Sequence, residues 1–296
     1  MTNLSREQIA ERLAGAGYIA DAELATAVSL MQLLKRPLLL EGEAGVGKTE
    51  VAKALASVHG TELIRLQCYE GLDQSAALYE WNYQRQLLAI EAQKVEAGTS
   101  RAVDIEDRIF SEKYLLERPL LAAICRETPP VLLIDEIDRA DEEFEAFLLE
   151  LLSDFQVSIP EFGTVAAKSI PHVVLTSNGT RELSDALRRR CLYHYVEYPD
   201  VDREARIIMA RVEGVGAGLS LQIARMVEMI RKEDLRKVPG VAETLDWAAA
   251  LVGLDIGDLS KRPETVHETL MCLLKTREDK ARFKPEMTQR LLGRVA

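Results

Sequence analysis

The chain has 296 residues, of which 47% are apolar and 29% charged, and its formal net charge is −11 at pH 7. This hydrophobic fraction excludes wholesale disorder, and the length suits one large or two modest domains. The acidic balance disfavours a general nucleic-acid binder, because such proteins carry a net basic face.

The chain also lacks the apolar segments that direct proteins into or across membranes. It has no uninterrupted run of about 18 apolar residues, which a membrane-spanning helix needs. Its first residues, MTNLSREQIAERL, contain no apolar stretch of the kind found in a secretory signal. We therefore expect a soluble, cytoplasmic protein.

The first two hundred residues alternate short apolar runs with segments of helical period, which is typical of a layered α/β fold. The first helical segment is 48–58, and Asp141 is a suitable N-cap for a second helix with an apolar stripe. The near-continuous apolar runs favour a parallel sheet with helices on both faces. The predicted strands are 37–41, 63–67, 131–134, 172–177 and 194–198.

Strand patterns stop near Pro199. We therefore predict an α/β domain over 1–199 and an α-helical domain over 200–296. The polar segment 96–107 is predicted to be a loop. The helices of the second domain are predicted at 202–213, 219–232, 243–253, 263–275 and 285–293.

The cysteines and histidines form no metal-binding pattern. Cys68, Cys125, Cys191 and Cys272 are widely separated, so buried reduced thiols are the simplest interpretation. The four histidines are equally scattered and form neither an HxxxH nor an HExxH pattern. A zinc site is therefore disfavoured.

The strongest motif is GEAGVGKT, a full GxxxxGK[ST] between a predicted strand and a predicted helix. Its glycines let backbone N–H groups turn inward around a phosphate at a helix N-terminus, which already favours anions. Lys48 would reach the β- and γ-phosphates, and the Thr49 hydroxyl would bind Mg²⁺, so ATP and Mg²⁺ are the expected ligands. The predicted nucleotide-binding residues are Gly42, Glu43, Ala44, Gly45, Val46, Gly47, Lys48, Thr49 and Glu50.

A second apolar strand, 131–134, ends in two carboxylates, Asp135 and Glu136. Asp135 is placed to hold Mg²⁺ opposite Thr49. Glu136 is placed to orient and deprotonate a water that attacks the γ-phosphate, which favours hydrolysis over transfer to a substrate hydroxyl. The alternative interpretation is an acidic strand end that caps the next helix.

With both motifs, the chain resembles the AAA+ ATPases, and more narrowly the MoxR family. Two further segments carry the resemblance: TSN ending at Asn178, and ALRRRC, which contains Arg189 and Arg190. The resemblance implies that Asn178 helps to position the attacking water. It also implies that an arginine, best matched by Arg190 with Arg189 as the backup, reaches the γ-phosphate of a neighbouring subunit. A surface arginine run is otherwise simply solvated charge.

Two more stretches resemble MoxR features: a helix-2 insert at about 70–95 and a pre-sensor hairpin at about 156–170. Tyr79, Trp81 and Tyr83 alternate in the first of them. These rings would either grip a polypeptide or partner, or pack into the core. The amino-acid sequence of the insert is similar to that of MoxR proteins that mature molybdenum-containing carbon monoxide dehydrogenase.

The resemblance implies a homo-oligomeric ring, usually a hexamer, and a chaperone-like ATPase that remodels or matures a client protein. The implied partners are a von Willebrand factor A domain protein and a molybdenum hydroxylase, with peripheral membrane association as a further option and no nucleic acid. A DNA-acting AAA+ motor or loader is the alternative. A small-molecule kinase is disfavoured by the combination of Glu136, Asn178 and the arginine run.

One position departs from the AAA+ pattern. Glu243 stands where a second-sensor arginine is often found. We expect it to lie in the first turn of a helix, where the dipole favours a carboxylate. Contact between the helical domain and ATP would then depend on other residues, such as Arg236 or Lys237, or nucleotide-driven closure would be weak.

Overall fold

The computed structural model describes residues 5–96 and 109–295. Most of the predicted loop 96–107 lies outside these residues. The strands are β1 (Leu38–Glu41), β2 (Leu63–Gln67), β3 (Tyr79–Trp81), β4 (Leu115–Glu117), β5 (Val131–Asp135), β6 (Gln156–Ile159), β7 (Gly163–Ala166), β8 (His172–Ser177) and β9 (Leu192–Tyr195).

The described helices are interspersed among these strands up to residue 195, and after it they follow one another. The first seven are α1 (Arg6–Gly15), α2 (Ala22–Leu34), α3 (Lys48–His59), α4 (Gln74–Ala77), α5 (Tyr83–Glu96), α6 (Pro119–Cys125) and α7 (Glu142–Asp154). The others are α8 (Asp185–Arg190), α9 (Val201–Arg211), α10 (Ala217–Arg231), α11 (Val241–Gly253), α12 (Pro263–Thr269), α13 (Arg277–Arg282) and α14 (Pro285–Val295).

Five strands form one sheet in the order β2-β5-β8-β1-β9, which confirms the predicted α/β fold class. β2 and β8 both pair in parallel with β5, with Leu63 and His172 opposite Val131. Every residue of β5 is buried, as expected for a central strand covered on both faces. The last strand is shifted from the predicted 194–198 to Leu192–Tyr195, because it begins directly after helix α8.

The described residues form two compact units. Unit 1 contains residues 26–40 and 55–194, and unit 2 contains residues 5–25, 41–54 and 195–295. The two predicted domains remain a prediction, because this grouping does not follow chain order. No helix among the described residues is long and apolar enough to cross a membrane.

Helix α7 and the hairpin after it belong to unit 1. The Asp141 side chain accepts a hydrogen bond from the Phe144 N–H at 2.8 Å, which confirms it as the N-cap. β6 and β7 then pair antiparallel within the segment predicted to contain a hairpin.

The three alternating aromatic residues of segment 70–95 have different environments. Trp81 is buried in the core of unit 1 and packs edge-on against the Phe110 ring, with 5.1 Å between the ring centroids. Tyr79 is partly buried against the same core, whereas Tyr83 is 62% exposed. Core packing therefore accounts for Trp81 and leaves Tyr83 available to a partner.

Unit 2 has its own core around a buried ion pair. Glu204 accepts two hydrogen bonds from the Arg231 guanidinium, both at 2.7 Å, and a third from the Thr244 hydroxyl at 2.9 Å. Arg231 Nε donates to the Pro239 carbonyl oxygen at 2.9 Å. This network joins α9, α10 and α11. The predicted helix 263–275 is shorter, ending at Thr269, and α13 was not predicted.

The four cysteines are free thiols. Cys68 and Cys191 are buried, and burial raises the pKa of both thiols to about 12. Cys125 and Cys272 are only partly buried.

We predict that Glu204→Ala lowers the free energy of unfolding by about 3–5 kcal/mol, because it leaves the buried Arg231 guanidinium without its counter-charge. Glu228 pairs with Lys232 on the exposed surface of the same unit, so Glu228→Ala is a matched control, with an expected loss below about 0.5 kcal/mol. Urea denaturation followed by circular dichroism measures both losses. Equal losses would contradict the structural role of the pair.

Candidate functional site

The GEAGVGKT segment forms a loop that ends at the first turn of α3, as its sequence predicts. The Lys48 ammonium is buried and donates to two carbonyl oxygens of its own loop, Gly42 O at 2.7 Å and Glu43 O at 2.8 Å. Gly45 and Gly47 have positive φ values of 82° and 96°, which glycine adopts without strain. The loop is therefore curled around the position that a phosphate occupies in such motifs.

Two neighbours in unit 2 hold the loop from outside. A Cβ on Gly42 would lie 2.3 Å from the Val196 carbonyl oxygen, so only glycine fits there. The Gly45 carbonyl accepts a hydrogen bond from the Val241 N–H at 2.8 Å, at the start of α11. The backbones of Gly45 and Gly240 are so close that a Cβ on Gly240 would lie 2.7 Å from the Gly45 Cα.

Glu243 lies in the first turn of α11, where its carboxylate accepts a hydrogen bond from the Gly240 N–H at 3.1 Å. The predicted first-turn position is confirmed. Arg236 and Lys237 are the other candidates for contact with ATP. Their backbone N–H groups donate to the Asp279 carboxylate, and the Arg236 guanidinium pairs with Glu278.

A cavity beside the loop in unit 2 was missed by sequence reasoning. Its apolar walls include Ile19, Val46, Val241 and Leu245, and Tyr18 also lines it. Burial raises the pKa of Tyr18 to about 12, so the phenol is neutral at pH 7. The chemistry suits a flat, uncharged heteroaromatic ring next to a phosphate loop. Its residues come from distant segments with no common motif, so no sequence signal identifies it.

Asp135 lies at the end of β5 in unit 1, 3% exposed, and its carboxylate is bonded on both oxygens. Oδ1 accepts from the Thr176 hydroxyl at 2.6 Å, and Oδ2 accepts from Arg65 Nε and Nη2 at 3.0 and 2.6 Å. A buried carboxylate needs such a counter-charge. A carboxylate oxygen is also the hard ligand that a divalent metal ion prefers, and such an ion would likewise supply positive charge.

Glu136 follows in the left-handed conformation, with φ 56° and ψ 50°. This conformation is uncommon for a residue with a side chain and tends to occur at functional sites. The Glu136 N–H donates to the Thr176 hydroxyl oxygen at 2.9 Å, and its carboxylate pairs with Arg139 at 2.9 Å. Thr176 thus fixes both carboxylate residues.

Asn178 follows β8, and Asp138 fixes its backbone. The Asp138 carboxylate accepts from the N–H groups of Asn178 at 3.2 Å and Thr180 at 3.0 Å, and from the Thr180 hydroxyl at 2.6 Å. Burial alone would raise the pKa of Asp138, but these hydrogen bonds lower it below its usual range. Sequence reasoning missed Asp138, whose only signal is that it lies in the turn after Glu136.

The two candidate arginines at the end of α8 differ in their contacts. Arg190 donates to the Ser153 hydroxyl at 2.5 Å and to the Ala186 carbonyl at 3.0 Å, both in its own unit. Arg189 is exposed, and its guanidinium makes no hydrogen bond or ion pair with another described residue. The backbone carbonyls of these two arginines accept hydrogen bonds from the Arg36 guanidinium, at 2.5 Å for Arg189 and 3.2 Å for Arg190.

Unit 1 thus brings Asp135, Glu136 and Asn178 to the carboxyl ends of neighbouring parallel strands, the edge where open α/β sheets bind ligands. The phosphate loop and the cavity lie together in unit 2. The buried lysine, the positive-φ glycines and the largely apolar cavity fit a nucleotide.

Fold and loop together define a P-loop nucleotide-binding protein. The sequence model of a protein family, the AAA domain (dynein-related subfamily), matches residues 37–191, which is more than half of the chain. The protein therefore belongs to this AAA family, whose members are ATPases.

Relatives with sequence similarity include uncharacterised proteins of Staphylococcus aureus strains RF122 and NCTC 8325. Each is 27% identical over 237 residues, which cover 76% of this chain and 78% of the relative. A solved structure, the Thermotoga maritima RuvB Holliday junction branch migration motor, shares 18% identity with a TM-score of 0.44. That match covers 88% of this chain and 68% of the motor.

We predict that Gly42→Ala weakens binding of a fluorescent ADP analogue by more than about tenfold. The added methyl group would push the loop away from the Val196 carbonyl, and displacements of about 1 Å are costly in such sites. A Cβ on Gly257, also in unit 2, would meet no atom within 4 Å, so Gly257→Ala is the control. Unchanged affinity in Gly42→Ala would contradict this role of the loop.

Proposed function

We propose that this protein hydrolyses ATP to ADP and phosphate in a ring of identical subunits and uses the energy to remodel a client protein. The observation that carries the hydrolytic part is Glu136, which directly follows the buried Asp135 and is fixed by Thr176. A carboxylate in this position suits activation of a water rather than of a substrate hydroxyl.

In this proposal the residues of unit 2 bind the nucleotide. The loop Gly42–Thr49, with Glu50 in the next turn, surrounds the phosphates with backbone N–H groups, and the base enters the cavity lined by Tyr18 and Val46. Lys48 exchanges its bonds to Gly42 and Glu43 for phosphate oxygens. That exchange is favourable because a phosphate carries a full negative charge, whereas a carbonyl carries a partial one.

Thr49 and Asp135 would hold Mg²⁺, which neutralises negative charge on the phosphates when it is bound. Glu136 would accept the proton of the attacking water. Asn178, whose backbone is fixed by Asp138, would orient that water. To reach the water, the Glu136 carboxylate would leave Arg139. Breaking this exposed ion pair requires little free energy.

An arginine from a neighbouring subunit would complete the site by stabilising the charge that spreads over the transferred phosphoryl group. The contacts support Arg189 for this role, although the sequence motif favours Arg190. Arg190 is bonded to Ser153 and Ala186 and so stabilises α8, whereas Arg189 is exposed.

Glu136→Gln is expected to bind ATP with nearly unchanged affinity and to hydrolyse it at least about 100-fold more slowly, because the general base is lost. Phosphate release and binding of a fluorescent ATP analogue measure the two properties. Glu142, exposed in the first turn of α7, provides the control Glu142→Gln, which should retain full turnover. Normal hydrolysis by Glu136→Gln would assign the base elsewhere.

The trans role of Arg189 predicts complementation between two inactive variants. Arg189→Ala keeps its own ATP site but lacks the arginine, and Glu136→Gln keeps the arginine. Random 1:1 mixing should therefore create active interfaces at about a quarter of positions and restore phosphate release.

The same variants separate the two arginines. Arg189→Ala should leave the free energy of unfolding within about 0.5 kcal/mol of the wild type. Arg190→Ala should lower it by about 1–2 kcal/mol, because its bonds to Ser153 and Ala186 are lost. An Arg189→Ala protein with unchanged kcat would remove Arg189 from the mechanism.

We further propose that the protein is a MoxR-type chaperone whose client is a molybdenum hydroxylase such as carbon monoxide dehydrogenase, with a von Willebrand factor A domain protein as partner. The support is the resemblance of segment 70–95, together with apolar side chains on exposed positions there and at the β6–β7 turn. These are Tyr83, Leu87, Leu88 and Phe162.

Co-purification with tagged Glu136→Gln in ATP tests this assignment, because the stalled protein should retain its client. Recovery of a molybdenum hydroxylase is the expected result. Recovery of DNA or of a replication protein would instead support a DNA-acting motor.

A further inference from the structure

Arg65 is a cation already placed on the carboxylate that the proposed function assigns to a metal ion. It lies in β2, two residues before Gln67, which is opposite Asp135 in the parallel register. Arg65 Nε and Nη2 both donate to Asp135 Oδ2, at 3.0 and 2.6 Å. One oxygen of the buried Asp135 carboxylate thus faces the Arg65 guanidinium.

The two partners differ in their exposure to solvent. The Asp135 side chain is 4% exposed and the Arg65 side chain 51% exposed. The carboxylate therefore depends on a nearby positive charge, whereas the guanidinium is partly hydrated and loses less when it moves away. Nη2 also donates to the Gln67 side chain at 2.5 Å, and that bond can persist when Arg65 leaves Asp135.

We propose that Arg65 is a positioning residue that neutralises Asp135 until a divalent cation arrives with the nucleotide, and that it thereby sets the cation concentration that nucleotide binding requires. This inference rests on the proposed function. Arg65 and the metal ion would both supply positive charge to the Asp135 carboxylate, so the two compete. Thr176 stays bound to Oδ1 throughout and keeps the carboxylate in place.

The test measures binding of a fluorescent ADP analogue to the full chain as Mg²⁺ is titrated. In Arg65→Gln the Mg²⁺ concentration at the midpoint should fall about three- to tenfold, because the competing charge is gone. ADP affinity in the presence of EDTA should not change. If the role of Arg65 were purely structural, Arg65→Gln would lower ADP affinity both in EDTA and in Mg²⁺ and would not lower the Mg²⁺ midpoint.

Two further variants make the test specific. Arg126 forms ion pairs with Glu62 and Glu117 in the same unit, away from Asp135, so Arg126→Gln is a matched control with an expected wild-type midpoint. Arg65→Lys keeps a charge but loses the forked pair of donors, so its midpoint should fall by a smaller factor of about two. If circular dichroism shows that Arg65→Gln does not fold, the Mg²⁺ midpoint of Arg65→Lys tests the role of Arg65 instead.

The outcomes distinguish this inference from the proposed function. If the wild type binds the ADP analogue with no dependence on Mg²⁺, or does not bind it, the proposed function fails. If the wild type shows a Mg²⁺-dependent midpoint that Arg65→Gln and Arg65→Lys share or exceed, only the role of Arg65 is overturned. A lower midpoint in both Arg65 variants, with Arg126→Gln unchanged, supports it.

Discussion

The buried Asp135 carboxylate imposes the main constraint on unit 1. A negative charge at the end of a central strand is stable only if neighbouring groups supply hydrogen bonds and positive charge. Thr176 on β8 supplies a hydroxyl from one side, and Arg65 on β2 supplies a guanidinium from the other. Side chains from three adjacent strands are thereby joined at this carboxylate.

The position of Glu136 follows from this arrangement. Its N–H binds the same Thr176 hydroxyl that donates to Asp135, and its left-handed backbone turns the chain directly after β5. Asp138, in the next turn, then holds the loop that carries Asn178. The backbones that carry Glu136 and Asn178 are thus held by two neighbouring sets of hydrogen bonds, one around Thr176 and the other around Asp138.

Unit 2 satisfies a buried positive charge by the same principle. The Lys48 ammonium is bonded to the Gly42 and Glu43 carbonyls of its own loop, while the Gly45 carbonyl is taken by the Val241 N–H. Each unit therefore contains a buried charge with partners that it can exchange. In the proposed function, a phosphate would replace the carbonyl partners of Lys48, and a metal ion would replace Arg65 beside Asp135.

Four of the five strands of the main sheet, the helix cap at Asp141 and the phosphate loop could be predicted because each depends on residues close together in sequence. Arg65 and the Tyr18 cavity could not. Arg65 meets Asp135 across 70 residues through strand register, and the cavity walls come from separate segments. The arginine motif likewise identifies Arg189 and Arg190 as candidates, but only their contacts distinguish a bonded side chain from an exposed one.

A crystal structure of Glu136→Gln with ATP and Mg²⁺ is the decisive measurement for the proposed function. We expect phosphate oxygens within hydrogen-bond distance of Lys48 Nζ, and a metal ion bound by Thr49 and by Asp135, directly or through water. A nucleotide bound away from the loop, or a metal ion remote from Asp135, would refute the proposal.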